Sequence, residues 1–528
     1  MTTREIAAAW SGLAILGLLV FLPHIQHGGL YLDDWADAAL TLHPPGDSGL
    51  LPALSHFNEV LSSSRPVLIA FIPLKYLLFG THIKALLILS VALAVLAAAL
   101  MYAVLRTLSL PWYHAWLISA LTIAYPWFDS TRFWESANPI TLAVVLLFAG
   151  MWMALHGLTQ ESWRLHAVAA FLYLLSMLAY EITLPFVAAL GFLYLARNGW
   201  RAARFRWAAD LVMVAIAGIW GKAHTPKTVS SLSGDITHLE QIVHQGKELF
   251  ARTAFPVGNQ PHTSAIAGAF AVVFAFGIGV YLLSLNKRDT STSQSLRNWL
   301  FLAIFGLFIA ILGWAIFIPA DPYYTPSVFG ATNRVNGFAG FGLVLLVYSL
   351  IGVGVTLVGR LFKAKSWMVA GVTVTLGLCL GAAYIHVLER HGRLWDDSYN
   401  YQLGAIEQIH RAFPNPSPGT TVFAGGYPAN ITLGVPIFAA TWDLSGMVKL
   451  TYADSTLRAY PITEELGVEC LRPGMRPTGE EGIPIARYGT TRLINLTTGQ
   501  TASPRTRAEC RDDTSQYAPG PLYLATAY

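Results

Sequence analysis

Residues 6–23 of the chain read IAAAWSGLAILGLLVFLP, and residues 31–37, which follow shortly after them, read YLDDWAD. The first stretch is apolar over a length that can cross a bilayer. The second stretch places three carboxylates beside a tyrosine and a tryptophan, in a chain of which only 12% of the residues are charged. This order predicts a membrane span followed directly by a polar loop that carries candidate functional residues.

The composition of all 528 residues is that of a membrane protein. The chain is 54% hydrophobic and has a mean hydropathy of +0.49, whereas soluble domains are about one quarter charged. The net charge of +4 is small and dispersed, so it does not indicate a nucleic-acid partner. The composition therefore predicts a polytopic α-helical membrane protein.

Apolar runs and basic clusters together predict the topology. Apolar runs lie near 6–23, 84–105, 112–126, 138–156, 166–180, 182–196, 207–221, 263–285, 298–318, 336–358 and 366–387. A further run at 66–80 is short and carries Pro73 and Lys75, so we treat it as only partly inserted. With the N-terminus in the cytoplasm, the basic loops then fall inside, as the positive-inside rule requires. We expect about 11 to 13 transmembrane helices in residues 1–387, with outer loops at 24–83, 127–137, 222–262 and 319–335.

The tail, residues 388–528, is richer in Pro, Gly and Thr than the spans are. Its pattern predicts an amphipathic helix at 396–413 and short strands at 420–424, 446–452 and 490–495. We expect a small α/β or mainly β domain outside the cytoplasm. If that compartment is oxidising, Cys470 and Cys510 can form a disulfide.

The acids after the first span are candidates for chemistry. An ionised carboxylate at a membrane surface can deprotonate a hydroxyl group or bind a divalent cation. Asp33 and Asp37 share one face of a helix, so that two carboxylates could bind a metal or raise one pKa. Alternatively, Asp33 or Asp34 only caps the helix that follows. The neighbouring aromatics and the position directly after the span favour a functional role.

Cationic side chains recur in the predicted outer loops. Arg65 lies at the edge of the partly inserted segment, where a guanidinium can bind a phosphate with two nitrogens. Lys222 and His224 end one span, and Arg334 lies in another outer loop. Interfacial arginines that merely extend toward water are the alternative. Together the four groups suit a lipid-linked phosphate or pyrophosphate.

The outer loop 127–137 combines aromatic with charged side chains. This combination is typical of a sugar-binding cleft, but also of the aromatic belt at any membrane interface. We predict that contacts to a sugar or an acceptor come from this loop and its neighbours: Trp35, Asp37, Glu59, Trp127, Asp129, Arg132, Trp134, Glu135 and Tyr324.

Several function classes lack their motifs. The sequence contains no GxxxxGK[ST], HExxH or CxxC motif, so Walker-type ATP hydrolysis, zincin chemistry and thioredoxin-like redox chemistry are unsupported. Charged residues are nearly absent from the predicted spans, which argues against a proton-coupled transporter with a relay at the membrane midplane.

The order of motifs resembles that of a known superfamily. One span, an outer loop with Asp33-Asp34, the Arg65-Pro66 segment, Phe79-Gly80 and an apolar hairpin together resemble the GT-C membrane glycosyltransferases. The protein O-mannosyltransferase-like and lipid A aminoarabinose transferase-like branches are the most similar in pattern. The resemblance covers roughly residues 1–160 at the level of motifs and the remainder by topology.

The resemblance implies an inverting transferase that uses a polyprenyl-phosphate sugar, hexose or pentose, at the extracytoplasmic face. Asp33 or Asp34 would correspond to the loop acid that deprotonates or orients the acceptor. Arg65, Lys222, His224 and Arg334 would be candidates to stabilise the departing phosphate, and Arg65 alone lies in matching sequence context. The acceptor would be a glycan, a lipid or a protein, a divalent metal is possible, and the location would be a bacterial inner membrane.

Other functions remain open on the sequence alone. A lipid or glycan flippase or a transporter would move its substrate without forming a bond. A polysaccharide polymerase or ligase would use a lipid-linked oligosaccharide donor, and the loop 222–262 could serve it. A non-catalytic scaffold is a further alternative, which the acids after the first span disfavour.

Overall fold

The computed structural model describes residues 2–61, 63–224, 232–256, 263–286, 290–432 and 434–515. Its larger part is a bundle of helices. In chain order they are α1 (Thr3–His27), α2 (Asp33–Leu42), α3 (Leu50–Val60), α4 (Pro66–Phe79), α5 (Ile83–Thr107), α6 (Trp112–Ala124), α7 (Ser130–Phe133), α8 (Asn138–Gln160), α9 (Trp163–Ala179), α10 (Leu184–Ala189), α11 (Gly191–His224), α12 (Leu232–Ala254), α13 (Thr263–Asn286), α14 (Thr290–Ala315), α15 (Ala339–Leu361) and α16 (Ser366–Ala412). Short 3₁₀ turns lie at Pro126–Phe128, Glu135–Ala137, Glu181–Thr183 and Ala331–Asn336.

The prediction of a polytopic helical membrane protein is confirmed. Over the described ranges, six helices are long and apolar enough to cross a membrane, namely α1, α5, α8, α14, α15 and α16. Most of the other predicted spans coincide with shorter or interrupted helices; α11, for example, is kinked at Gly199, where φ is +73°. The span predicted at 263–285 coincides with α13, in which the apolar stretch is Gly268–Ser284. Helix α4 has 14 residues and is about 21 Å long, which is less than the hydrocarbon thickness of a bilayer.

The tail forms a small α/β unit. Its strands are β1 (Thr421–Gly425), β2 (Asn430–Thr432), β3 (Val435–Pro436), β4 (Arg458–Pro461), β5 (Val468–Cys470), β6 (Gly474–Pro477), β7 (Ala486–Arg487), β8 (Thr491–Asn495) and β9 (Thr501–Ala502), with helices α17 (Asp443–Tyr452) and α18 (Arg507–Ser515). The main sheet has the order β4-β1-β8-β9, and β1 is parallel to both of its neighbours. A disulfide joins Cys470 to Cys510.

One detail of the tail and one loop differ from the sequence expectation. Residues 446–452, expected as a strand, belong to helix α17. Leu444, Met447 and Val448 are all buried, and this helical spacing packs one side of α17 on the sheet. The loop 222–262 contains the 23-residue helix α12; its residues 225–231 and 257–262 lie outside the described part.

The tail shares a hydrophobic core with the first loop of the bundle. Helix α16 passes through residue 388 without a break and connects the two parts. One buried cluster contains Trp35 and Phe57 from the first loop, Ile409 from α16, and Phe438 and Met447 from the tail. The helices α2 and α17 therefore pack as neighbours although they are far apart in the sequence.

Gly446 makes the contact between α2 and α17 possible. A Cβ atom at this position would lie 2.4 Å from the backbone carbonyl of Trp35. The two helix backbones are thus too close for any side chain at this point.

We expect Gly446→Ala to force α17 away from α2 and to destabilise the protein by about 1–3 kcal/mol, as overpacking does. Thermal unfolding of the purified protein measures this loss. Gly371→Ala in α16 is the matched control, because nothing lies within 4 Å of the added Cβ atom. Equal unfolding temperatures for the two variants would contradict the packing assignment.

Candidate active site

The acids after the first span begin helix α2 in an unusual backbone turn. Leu32 precedes the helix with φ +46°, a left-handed conformation that is strained for leucine. The N-cap of α2 has no side-chain hydrogen bond, so neither Asp33 nor Asp34 caps the helix as the alternative hypothesis required. Strained backbone of this kind is concentrated at functional sites.

Asp34 is fully buried and joins the first loop to the segment after α7. Its Oδ2 accepts a hydrogen bond of 2.9 Å from the N–H of Tyr31, and its Oδ1 accepts one of 2.6 Å from the N–H of Ser136. The hydroxyl of Ser136 donates to Asp37 Oδ2 at 3.2 Å. Both oxygens of Asp34 are therefore occupied, and Asp34 serves to hold two segments together.

An ion pair lies below these acids. The Nζ of Lys75 lies 2.5 Å from Oε2 of Glu135, and both side chains are almost completely buried, at 1% and 0% exposure. The hydroxyl of Tyr76 donates to the same oxygen at 3.0 Å, and Asn138 Nδ2 donates to Oε1 at 3.1 Å. Glu135 is thus satisfied within the protein by one cation and two hydrogen bonds.

The protonation of the three aspartates follows from burial and from nearby charges. Burial raises the pKa of Asp33, Asp34 and Asp37 above the usual carboxyl value, and for Asp37 to about 8. The Lys75 ammonium opposes this rise at all three positions. At Asp33 the Arg334 guanidinium and a hydrogen bond from Trp442 also lower the pKa. Asp33 is therefore the one of the three aspartates on which two cations, Arg334 and Lys75, act.

Asp33 is only half-buried and is contacted from the tail. The indole Nε1 of Trp442, which precedes α17, donates to Asp33 Oδ1 at 2.7 Å. No other hydrogen bond to its carboxylate is seen among the described residues. Asp33 thus has a carboxylate oxygen with no hydrogen-bond partner among the described residues, unlike Asp34.

Arg334, whose charge acts on Asp33, is surrounded by aromatic rings. Its guanidinium carbon is 4.7 Å from the ring centroid of Trp134, 5.6 Å from that of Tyr323 and 5.8 Å from that of Tyr324. Burial works to lower the pKa of Arg334, but neighbouring tyrosines and Asp33 raise it above its usual value. No carboxylate lies within ion-pair distance of Arg334 over the described ranges, so its charge is available to a ligand.

Arg65 has a protein partner. Its Nε and Nη2 donate to the two carboxylate oxygens of Glu181 at 2.9 and 2.5 Å, and its guanidinium lies 4.1 Å from the ring centroid of Tyr180. Arg65 is 27% exposed and Glu181 is 43% exposed. Burial raises the pKa of Tyr180, and both Arg65 and Arg334 oppose this rise, so the two cations lie near one phenol.

Two charged residues of the loop 127–137, Asp129 and Arg132, bind other groups of the protein. Asn333 Nδ2 donates to Asp129 Oδ1, and His391 Nδ1 lies beside Oδ2, both at 2.6 Å. The Arg132 guanidinium donates to the backbone carbonyls of Thr122 and Tyr125. Both side chains are buried and connect α7 to its neighbours. They lie outside the acidic cluster, which consists of Asp33, Asp34, Asp37 and Glu135.

The remaining predicted residues lie at different depths. Trp35 is buried, and its Nε1 donates to Gln402 on α16. Trp127 is buried beside His391, at 5.6 Å between ring centroids. Glu59 and Lys222 are exposed, and His224 stacks on Trp220, whose indole N–H reaches the Ser63 carbonyl. No contact in the described part joins Glu59, Lys222 or His224 to the acidic cluster.

Several residues of the site were not among those predicted from the sequence. Lys75 had a detectable signal, because a charged residue inside an apolar segment is a candidate functional residue by default. Ser136, Tyr180, Glu181 and Trp442 had none, since each reaches the site through a contact distant in sequence. Over the described ranges, no three His, Cys, Asp or Glu side chains form a metal-binding group.

Comparison with known proteins found little. No protein-family model and no curated protein matches the chain. A matching solved structure is the oligosaccharyltransferase of Archaeoglobus fulgidus, tethered by a disulfide to an acceptor peptide with the NVT sequon. The two chains are 12% identical with a TM-score of 0.42; the match covers 88% of this chain and 64% of that one, less than two thirds of its length. A TM-score below 0.5 at this identity assigns no function to the chain.

Because the pKa of Asp37 is raised, replacing Asp37 by asparagine should stabilise the folded protein to an extent that depends on pH. The Asp37 carboxyl ionises near pH 4 in the unfolded chain and near pH 8 in the folded chain. The free energy of unfolding therefore falls as the pH rises between these values. We expect Asp37→Asn to raise the unfolding temperature by about 1–3 °C at pH 8, with the gain vanishing toward pH 4. Thermal unfolding at both pH values measures it, and a gain independent of pH would show that Asp37 is ionised in the folded protein.

Proposed function

We propose that the protein is a membrane glycosyltransferase of the GT-C class. It transfers a hexose or pentose from a polyprenyl-phosphate donor to a hydroxyl of a glycan, lipid or protein acceptor. The observation that carries the proposal is that a half-buried carboxylate, Asp33, and an aromatic-walled guanidinium, Arg334, lie close enough for each charge to shift the pKa of the other without forming an ion pair. A base and a phosphate-binding cation are the two groups that this transfer requires.

The chemistry assigns one role to each side of the site. Asp33 takes the proton of the acceptor hydroxyl as the acceptor oxygen forms a bond to the anomeric carbon. The bond between that carbon and the phosphate oxygen breaks, and the lipid phosphate leaves with the electron pair. Attack from the face opposite the phosphate inverts the sugar. Arg334 stabilises the negative charge that develops on the phosphate.

The other candidates have supporting roles in this scheme. Asp34 positions Asp33, because its two oxygens hold the first loop against Ser136. Arg65 adds positive potential, although its guanidinium already donates to both carboxylate oxygens of Glu181. Lys222 and His224 lie near the Ser63 turn and could meet the donor only at the periphery. The rings of Trp134 and Tyr324 are the surfaces nearest the cation on which a sugar can stack.

An apolar groove beside Arg334 supports a lipid-linked donor. A cavity of about 330 Å³ lies between α12, α14 and α15, with lining residues that include Leu239, Phe250, Trp314 and Ile318. Trp314 Nε1 donates to Asn336 at 3.3 Å, two residues after Arg334. An isoprenoid chain in this groove would place its phosphate near the guanidinium.

The same proposal includes a location. The first loop contacts Ser136, and the 331–336 turn contacts Ser130 at the start of α7, so these segments lie at one end of the bundle. We place this end and the tail on the extracytoplasmic side of a bacterial inner membrane. The charge distribution of the loops and the disulfide between Cys470 and Cys510 support this orientation.

We expect Asp33→Asn to lower transfer by at least about 10²-fold, the typical contribution of a general base. Purified protein in nanodiscs would receive a panel of radiolabelled polyprenyl-phosphate hexoses and pentoses, with membrane extract as acceptor. Asp47→Asn, which changes an exposed acid in the connection from α2 to α3, is the matched control. Wild-type turnover in a correctly folded Asp33→Asn protein would exclude Asp33 as the base.

We expect Arg334→Gln to change both donor binding and the pH profile. Loss of a charged contact to the phosphate should raise the donor KM by about 10- to 100-fold. Since Arg334 lowers the pKa of Asp33, its removal should also move the acidic limb of kcat/KM to higher pH. Arg411→Gln, an exposed arginine on α16, is the control. An unmoved acidic limb would mean that another group ionises in this range.

A further inference from the structure

A second cleft lies on the other side of α16 from the acidic site. It has a volume of about 840 Å³ and is enclosed by α16 and by loops that follow β1 and β8. On the first side of the helix, Trp395 accepts a hydrogen bond from Tyr31 and Gln402 accepts one from Trp35. Helix α16 thus separates the cleft from the acids of α2, and the cleft is a site of its own.

The wall formed by α16 is polar and aromatic. Asp397, Asn400, Tyr401 and Gln408 line it, and Tyr401 is 47% exposed. Gly404 lies between them, and nothing is within 4 Å of a Cβ atom built there, so the space beside the helix is open. The exposed ring of Tyr401 thus lies on the same wall as the carboxylate of Asp397 and the amides of Asn400 and Gln408.

The opposite wall contains a polar group without a partner. Tyr427 lines the cleft and is only 6% exposed, yet its hydroxyl has no hydrogen-bond partner among the described residues. An unsatisfied buried hydroxyl costs free energy, and such groups in folded proteins call for an explanation. The hydroxyl is closed off from the cleft in this position, so a ligand accounts for it only if ligand binding turns the Tyr427 side chain toward the cleft.

We propose that the cleft binds an uncharged oligosaccharide. The face of Tyr401 can stack on a sugar ring, while Asp397, Asn400 and Gln408 can bind neighbouring hydroxyl groups. None of the described residues that line the cleft is Lys, Arg or His, so an anionic glycan or a lipid phosphate would find no counter-charge. The volume is within the usual range of small-molecule sites.

The proposal goes beyond the transferase assignment and does not depend on it. The cleft would bind a saccharide whether or not Asp33 acts as a base, because no member of the acidic cluster lines it. In a transferase, such a cleft would hold part of a glycan away from the reacting carbon. Binding is therefore measured without donor and without turnover.

The test is isothermal titration of the full-length protein in nanodiscs with uncharged glucan, galactan and mannan oligosaccharides of two to six sugars. Uronic-acid oligosaccharides of matched length form the anionic arm, and a soluble short-chain phospholipid forms the lipid arm. We expect at least one uncharged ligand to bind and the anionic ones to bind about tenfold more weakly. Tyr401→Ala and Tyr427→Phe should each weaken binding by about 3- to 10-fold.

Two controls separate binding from folding. Leu403→Ala changes an exposed residue of α16 outside the cleft, and Tyr452→Phe removes a hydroxyl that bonds the Phe413 carbonyl instead. Neither should change saccharide affinity. The unfolding temperature of Tyr427→Phe should not fall, because the hydroxyl it removes has no described partner to lose.

Three outcomes would overturn the proposal. One is that no uncharged oligosaccharide in the panel binds with a Kd below about 10 mM, a very weak affinity for a specific site. The second is that Tyr401→Ala and Tyr427→Phe bind as well as the wild type, which would place the saccharide elsewhere. The third is preferential binding of the anionic sugars or of the phospholipid, which would contradict the charge argument.

Discussion

One buried ammonium, that of Lys75, is the positive charge shared by four carboxylates. It is bonded to Glu135 and lowers the pKa of Asp33, Asp34 and Asp37. At a separation of 4 Å a pair of unit charges is worth about 4 kcal/mol in a partly buried environment. Loss of one partner of a buried pair costs about 3–5 kcal/mol, because the other charge is left without compensation. The acidic site and the position of α4 therefore depend on the same side chain.

The tail is part of the site as well as an attached domain. Trp442 binds Asp33, Gly446 lies against Trp35, and a single buried cluster includes residues from the first loop and from the tail. The surroundings of Asp33 are thus shaped by a segment that composition alone would treat as independent. Residues of the bundle and of the tail together bury the three aspartates of α2, and this burial raises the pKa of their carboxyl groups.

Different features were predictable from the sequence for different physical reasons. Apolar runs identify helices because the bilayer imposes a length and a composition on each of them. The acids at 33–37 were conspicuous because charge is rare in this chain. In contrast, the occupation of Arg65 by Glu181 is set by a contact across 116 residues, which no local pattern contains. Helix α17 was mistaken for a strand because ten residues with mixed polarity fit either period until the sheet beneath them is known.

The contact between Trp442 and Asp33 spans 409 residues, and this separation has a consequence for biogenesis. Membrane proteins are synthesised and inserted from the N-terminus, so α1 and α2 are in place long before α17 exists. Until the tail has folded, Asp33 lacks its indole partner and Trp35 lacks the backbone that packs on it. The acidic site is therefore complete only after residues 442 and 446 have been synthesised, and a chain truncated before residue 442 lacks the indole that binds Asp33.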